Sequence, residues 1–311
     1  MLADGSRPSP PAEQGMSTAA PAPAAELGAW AWGGFPLLLF VVNAFSQYLG
    51  ASLAVRAFAL MPAAGVAWLR VVTGAVVLSV WRRPWRQLRG QPALTLALIA
   101  LFGVALAAMN LTFYLALAHL PLGTAVAIEF IGPVLVAAIA ARGLRNLGAL
   151  LLAAAGVATL TRISVSGSAL GVALAITAGI LWALYIILAH QVARRGFGTT
   201  GLAAAMAVGV VAIAPWAAAP AVESAGHGAV LALACGAGLL SSVIPYALDQ
   251  VLLRRLSRGA FAVLLSLLPA TATVIGVVLL GQVPGPVEIL GIALVVAAVA
   301  LRSPEEPEPT G

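Results

Sequence analysis

The chain has 311 residues, of which 62% are hydrophobic and 8% are charged. Soluble domains are about 45–50% apolar and about 25% charged, so this composition excludes a water-soluble globule and, away from the chain ends, a disordered protein. The net charge of +6 comes from 16 arginines without any lysine. In so apolar a chain these charges indicate membrane topology rather than nucleic-acid binding. We therefore expect an all-α polytopic membrane protein.

Polar segments flank the apolar region at both ends. Residues 1–28 are rich in proline, alanine and acidic side chains. They cannot bury enough apolar surface to order themselves, so we predict a disordered N-terminal tail. The segment also lacks the basic start and apolar stretch of a signal peptide. Residues 303–311 form an acidic, proline-broken C-terminal tail.

The apolar region between the tails is long enough for ten transmembrane helices joined by short loops. Each span needs roughly 20 apolar residues, and glycine and proline mark the breaks between spans. We predict spans at 33–55, 63–81, 93–117, 123–141, 147–162, 169–190, 200–220, 229–253, 259–280 and 286–301.

An internal repeat relates the two halves of this region. A shift of 136 residues carries Pro133 onto Pro269, with sparse matches along the rest of the halves. The repeat predicts one five-helix unit at 29–162 and a second at 163–302. Because five is an odd number of spans, the second unit inserts upside down, which gives an inverted repeat.

The arginines support this arrangement independently. The loop at 82–92 carries four arginines, whereas its counterpart around Glu223 carries none. With both termini in the cytoplasm, 13 arginines lie inside and two lie outside. This bias follows the positive-inside rule. It predicts a multi-pass protein of the bacterial inner membrane with cytoplasmic N- and C-termini.

Inverted repeats are mostly a transporter device, because the two halves can rock about a site near the bilayer midplane. The chain lacks the common hydrolase, metalloprotease and nucleotide-binding motifs, and its loops are too short for a catalytic domain. We expect a secondary transporter rather than an enzyme, without cofactor or metal. Its expected partners are a small-molecule substrate, protons and the lipid bilayer, with no nucleic acid. An intramembrane enzyme and a structural scaffold are the alternatives.

Three ionisable residues lie within predicted spans, where each charge costs roughly 2.5–3.5 kcal/mol on insertion scales. Glu129 shares a helix face with Gly132 and Pro133, which open the backbone and make room for a ligand. It is expected to bind a substrate amine or a proton, or alternatively to pair with Arg70. Arg70 either binds a substrate carboxylate or locks two helices together. Asp249 is the second candidate for proton coupling, or it pairs with nearby arginines.

Uncharged polar residues in the spans place the expected cavity. Asn43, Ser46 and Gln47 share one face of the first span, where contacts between helices are the alternative role. For the aromatic residues of the sixth span the alternative is an interfacial belt. The predicted substrate-binding residues are Glu129, Asn43, Ser46, Gln47, Asn110, Tyr114, Trp182, Tyr185, Tyr246 and Asp249. The predicted helix breaks at the site are Gly132, Pro133 and Pro269.

Two adjacent stretches carry a family resemblance. LTFYLAL at 111–117 followed by PLGTAVAIEFIGP at 121–133 resembles the EamA branch of the drug/metabolite transporter superfamily, and within it the RhtA-type threonine/homoserine exporters. WLR at 68–70, WALY at 182–185 and LSSVIPYALD at 240–249 agree with this resemblance.

The resemblance implies two inverted EamA repeats, cytoplasmic termini and export of small metabolites driven by protons or by a gradient. Applied to this chain, it implies export of small amino acids similar to threonine and homoserine, with a broader metabolite or drug exporter as the alternative. Two positions depart from the pattern of the family. Leu268 stands where relatives usually carry glutamate before the proline, and Gln282 stands where they commonly carry glutamate after glycine.

Overall fold

The structure is a computed structural model that describes residues 34–140, 144–164, 168–224, 226–245, 248, 264–265 and 267–301. The predicted tails lie outside the described residues, as do Tyr246 and Asp249. The expected all-α architecture is confirmed over the described part of the chain.

Short turns join the helices, which follow one another in chain order. They are α1 (Gly34–Ala57), α2 (Ala63–Arg82), α3 (Pro84–Leu88), α4 (Ala93–Leu117), α5 (Leu122–Glu129), α6 (Ile131–Ala140), α7 (Leu144–Ser164), α8 (Ala169–Arg194), α9 (Gly198–Glu223), α10 (Gly228–Gly238), α11 (Leu267–Leu280) and α12 (Pro286–Leu301). A π-helical turn, Leu239–Val243, continues α10.

Five of these helices are long and apolar enough to cross a membrane, namely α1, α2, α4, α8 and α9. Shorter apolar helical segments occupy the regions of the other predicted spans. Large apolar side chains such as Val80, Leu94 and Trp216 are more than two-thirds exposed on the outer surface. Such a surface is stable against lipid rather than water, and the protein is therefore a multi-pass membrane protein.

The predicted spans at 93–117 and 286–301 coincide with α4 and α12, while most other bounds differ by a few residues. Two local features modify the bounds of the predicted spans. The span expected at 123–141 is divided into α5 and α6 at Phe130. The short helix α3 follows Arg83, whose left-handed backbone (φ 47°) ends α2, and Pro84 is favourable at the first helical position because it needs no N–H donor partner there.

At one end of the helical bundle, which we call the arginine-poor end, two hydrogen bonds between a side chain and the main chain connect helix termini. Arg56 donates a hydrogen bond of 2.9 Å to the carbonyl of Leu279. The N–H of Leu122 donates to Oε1 of Gln282 at 2.9 Å. The last turns of α1 and α11 therefore lie beside the first turn of α5.

The opposite, arginine-rich end gathers the other termini. Arg145 donates to the carbonyl of Leu301 at 2.6 Å, and Arg195 donates to Thr95 at 3.4 Å. Because the first turns of α4 and α7 meet the last turns of α8 and α12 here, the long helices alternate in direction. The arginines with described side chains at this end are Arg82, Arg83, Arg86, Arg89, Arg145, Arg194 and Arg195.

The most extensive helix contacts pair elements that are distant in sequence. α2 packs along α9, α7 along α12 and α5 along α11. α4 packs on both α8 and α9, and α10 packs on both α1 and α2. Many of the buried residues are alanine, whose small side chain lets membrane helices approach closely.

Candidate functional site

A helix interruption lies at the first candidate residue. α5 ends at Glu129 and α6 begins at Ile131. Pro133 has no N–H, so the carbonyl of Glu129 lacks the donor that a helix normally supplies four residues later. The interruption is local and lies directly after Glu129, because Phe130 keeps helical backbone angles (φ −62°, ψ −9°) and accepts from the N–H of Val134 at 3.3 Å.

Two glycines hold this interruption against α8. A Cβ on Gly132 would overlap the carbonyl oxygen of Gly179, and a Cβ on Gly179 would lie 2.8 Å from the carbonyl oxygen of Glu129. Both obstacles are backbone atoms, which cannot move aside as a flexible side chain can. Beside them, Trp182 packs edge-to-face on Phe130 with ring centroids 5.0 Å apart. Glu129 is buried, and its main chain packs against α8.

The π-helical turn after α10 presents main-chain carbonyls to neighbouring helices. Its wider spacing breaks the regular pattern of hydrogen bonds between residues four apart. Ser46 on α1 donates to the carbonyl of Leu240 at 2.8 Å. Arg70 on α2 donates to the carbonyl of Ser241 at 3.0 Å. Side chains of two helices therefore bind this turn of α10.

Arg70 connects three helices in the interior. Its Nη1 donates to Oδ1 of Asn110 on α4, and its Nη2 donates to Ser241 on the π-helical turn. The guanidinium lies over the ring of Tyr114, 5.1 Å from the centroid. Asn110 is itself oriented, because its Nδ2 donates to the carbonyl of Leu106 at 2.8 Å.

Two polar groups of this cluster are buried without a hydrogen-bond partner among the described residues. They are Nε of Arg70 and the hydroxyl of Tyr114, and Tyr114 as a whole is only 1% exposed. The Ser241 side chain lies near the Tyr114 hydroxyl, but its own hydroxyl donates to the carbonyl of Ala237. Buried polar groups are normally satisfied, so these two indicate a place for a ligand.

The Glu129 carboxylate faces this cluster. It interacts electrostatically with Arg70 and with the buried Tyr48 of α1. The hydrogen bonds of Arg70 go to Asn110 and Ser241, and none of those described joins it to Glu129. The interior therefore holds an acid and a base that attract each other through space without a direct hydrogen bond.

The three central residues lie at a similar depth. Glu129, Arg70 and Asn110 are each seven residues from a helix terminus at the arginine-poor end, which corresponds to about 10 Å at 1.5 Å per residue. A hydrocarbon core about 30 Å thick places all three well inside the membrane.

The remaining predicted residues divide between this cluster and its surroundings. Asn43 and Ser46 are buried on α1, and Gln47 beside them is half-buried. Trp182 and Tyr185 pack instead on aromatic rings, the latter 5.2 Å from the ring of Phe102. The described ring contacts of both side chains are therefore with other aromatic residues.

At the predicted break near Pro269, the structure describes a buried proline in the first turn of α11. Residue 266, just before this turn, is outside the described part. Leu268, directly before this proline, is also buried.

Sequence reasoning missed two members of the cluster, Tyr48 and Ser241. Ser241 belongs to the LSSVIPYALD stretch at 240–249 that carries the family resemblance, so a signal for it existed. Tyr48 directly follows the polar face of Asn43, Ser46 and Gln47, and a tyrosine inside a predicted span is a second usable signal. The tertiary contacts of both residues depend on helices distant in sequence.

A second polar group lies at the arginine-poor end. Glu288 accepts from the N–H of Gly285 at 2.8 Å and from the hydroxyl of Thr124 at 3.3 Å. Together with the bond from Leu122 to Gln282, these contacts tie α5 to the loop before α12. A small cleft of about 10 Å³, room for about one water molecule, opens here and is lined by Pro121, Gly123, Thr124, Thr273, Gly276, Gln282, Pro284 and Ile292.

An apolar helical bundle with an interrupted helix and a buried polar cluster at membrane depth defines the class of multi-pass membrane transport proteins. The profile of the EamA-like transporter family matches residues 169–303. The threonine/homoserine exporter RhtA of Escherichia coli strain K12 is 35% identical over 266 residues, which cover 85% of this chain and 89% of the relative. RhtA of Salmonella typhimurium strain LT2 matches with the same identity and coverage.

The chain belongs to the EamA-like transporter family. One crystal structure shares the fold at a TM-score of 0.53 and 19% identity, covering 85% of this chain and 97% of that chain.

Proposed function

We propose that the protein is a secondary transporter of the bacterial inner membrane that exports small zwitterionic amino acids similar to threonine and homoserine. The transport cycle is alternating access linked to protons. Ten transmembrane helices form two inverted repeats, 29–162 and 163–302, with both termini in the cytoplasm.

The observation that carries this proposal is the placement of one acidic and one basic side chain, Glu129 and Arg70, in the interior of the bundle. Arg70 and Glu129 interact through space without a hydrogen bond between them. A free amino acid carries a carboxylate and an ammonium on the same carbon. Arg70 binds the carboxylate, and Glu129 binds the ammonium. A ligand that brings both charges compensates the cost of burying these two groups, which a simple cation or anion does not.

The relatives support the same substrate class. RhtA is named for export of threonine and homoserine, two amino acids with a hydroxylated side chain. The buried amides and hydroxyls of Asn43, Ser46, Asn110 and Tyr114 provide the polar surroundings that such a side chain requires.

The helix contacts support the inverted repeat. A shift of 136 residues relates α1 to α8, α2 to α9, α4 to α10, α6 to α11 and α7 to α12. Under this exchange the contact of α4 with α8 becomes that of α10 with α1, and the contact of α4 with α9 becomes that of α10 with α2. The pairs α2–α9 and α7–α12 map onto themselves.

The distribution of arginine supports the orientation. The arginine-rich end carries seven described arginine side chains, and this excess is characteristic of the cytoplasmic side. The last turn of α2 and the first turn of α4 both lie at that end, as expected for two helices joined by a cytoplasmic loop.

The proposal is tested by exchange of radiolabelled threonine in proteoliposomes that contain the purified protein. Unlabelled threonine and homoserine are expected to compete, whereas threoninamide and 3-hydroxybutyrate, which each lack one charge, compete at least tenfold less. Glu129→Gln is expected to weaken threonine exchange, while Glu223→Gln, which changes an exposed acid at the end of α9, leaves it unchanged. Equal competition by all four compounds contradicts the proposal.

Export of a broader range of metabolites or drugs is the second candidate. Leu268 replaces an acid of the relatives by an apolar side chain, and the Trp182–Phe130 pair lies directly beside Glu129. Both features favour less polar substrates. Strong competition by apolar cations in the same exchange assay favours this candidate over amino acids.

A further inference from the structure

We propose that Nε of Arg70 and the hydroxyl of Tyr114 form a carboxylate subsite, with Asn110 and Ser241 as positioning residues. This inference rests on the proposed function and assigns the atoms that recognise one end of the substrate. It also makes Tyr114 the residue that distinguishes a carboxylate from an amide.

The chemistry of the unpartnered atoms determines the kind of ligand. An arginine N–H can only donate a hydrogen bond, so the group that satisfies Nε must be an acceptor. The same guanidinium lies over the Tyr114 ring, and the hydroxyl of that ring, which is also buried without a partner among the described residues, can donate as well. A carboxylate presents two acceptor oxygens and a negative charge, so one group can satisfy both donors.

The guanidinium is oriented before any ligand binds. Its two terminal nitrogens are already engaged by Asn110 and Ser241, and the Tyr114 ring supports one face. The remaining Nε edge therefore points in a fixed direction. Binding to such a preorganised edge does not require a long arginine side chain to become ordered, which lowers the entropic cost of binding.

The opposite charge of Glu129 makes the subsite selective. A simple carboxylate at Arg70 leaves Glu129 without a ligand cation and adds a second negative charge close to it. An amino acid brings its ammonium with its carboxylate. The subsite therefore recognises the carboxylate of a zwitterion better than that of an isolated acid.

Tyr114→Phe is the test, because it removes only the hydroxyl. The ring stays available for Arg70 and for its edge-to-face contacts with Phe58 and Phe113, both at 6.2 Å. We expect the dissociation constant for threonine to rise about tenfold, the effect of one lost charge-assisted hydrogen bond. The dissociation constant for threoninamide is expected to change less than twofold. Binding is measured on the purified full-length protein by isothermal titration calorimetry.

Thr112→Val is the matched control on the same helix. The Thr112 hydroxyl donates to the carbonyls of Ala108 and Met109 within α4, so its loss is expected to leave binding of both compounds unchanged. Arg70→Lys is the second variant. It keeps the positive charge but lacks Nε, and it is expected to lose affinity for threonine at least as strongly as Tyr114→Phe.

The outcomes separate the subsite from the proposed function. Equal loss of threonine and threoninamide in Tyr114→Phe, or no loss of either, overturns the subsite while amino-acid transport stands. If 3-hydroxybutyrate binds more tightly than threonine and depends equally on Tyr114, the carboxylate subsite stands and the amino-acid function fails.

Discussion

Pro133 lies four residues after Glu129, and the helix is interrupted between them. The nitrogen of Pro133 is the atom that would otherwise donate to the carbonyl of Glu129. The same two residues therefore produce both the break and the position of the carboxylate. Pro121 precedes α5 and the local break follows it, so Glu129 is the last residue of an eight-residue helical segment that begins at the arginine-poor end.

Pro133→Ala is expected to restore the missing hydrogen bond and join α5 to α6. An interior proline costs about 3 kcal/mol in a helix, so the thermal midpoint is expected to stay the same or rise. Transport is expected to fall several-fold, because the helix break beside the Glu129 carboxylate is lost. The measurements are thermal unfolding in detergent and threonine exchange in proteoliposomes.

Pro215→Ala is the matched control for that variant. Pro215 lies inside α9 and is exposed on the surface of the bundle. Its replacement is expected to affect stability in the same direction without changing exchange. An equal loss of exchange in both variants would mean that general stiffening, not the break at Glu129, slows transport.

Glu129→Gln keeps the shape of the side chain but removes its ability to exchange a proton. We expect normal insertion and loss of threonine accumulation driven by a pH gradient, since coupling requires that proton and substrate favour different states of the site. Downhill exchange is expected to survive better than uphill transport. Proteoliposomes with and without an imposed pH gradient provide the measurement. Continued accumulation in this variant would transfer the coupling role to Asp249.

Arg70→Ala is expected to destabilise the fold as well as prevent transport. The change removes the hydrogen bonds from Arg70 to Asn110 and Ser241. These bonds connect α2 with α4 and with the π-helical turn after α10. A loss of about 2–4 kcal/mol is expected for charge-assisted bonds in a buried setting. An inactive Arg70→Ala protein with unchanged thermal stability would restrict Arg70 to ligand binding. Arg195→Ala at the bundle surface is the control and is expected to change little.

Gln282→Leu is expected to destabilise the arginine-poor end. Leu122 is the first residue of α5, and its N–H donates to Oε1 of Gln282. Leaving this buried donor unsatisfied costs about 1–3 kcal/mol. Gln282→Glu keeps an acceptor oxygen and is expected to retain the stability of the native protein. Thermal unfolding of the three proteins side by side checks the prediction, and identical midpoints would assign no role to this cap.

Reporter fusions test the orientation of the bundle. A fusion after Gly90 is expected to report the cytoplasm and one after Gly226 the periplasm, because these loops lie at opposite ends of the helices. A fusion after Gly196 is expected to agree with Gly90. If Gly90 and Gly226 report the same side, the inverted repeat is excluded.

Local chemistry in the sequence was sufficient for the helices and for part of the site. Apolar length predicts a membrane span because unpaired backbone groups cannot remain in lipid, and glycine and proline predict where spans end. The bounds of α4 and α12 were therefore predictable without tertiary contacts. Glu129 and Arg70 were recognisable for the same reason, since a charge in hydrocarbon is costly wherever it lies.

The arrangement of these charges was decided only by tertiary packing. The sequence left open whether Arg70 pairs with Glu129, and the fold directs its hydrogen bonds to Asn110 and Ser241 instead. Ser241 takes part through a carbonyl in a π-helical turn, and no local sequence pattern predicts that turn or its contact with α2. The division of one predicted span at Phe130 follows from Pro133, but the close packing of that region on α8 depends on contacts of Gly132 with Gly179. Such contacts join residues far apart in the chain, and their geometry follows from how whole helices fit together.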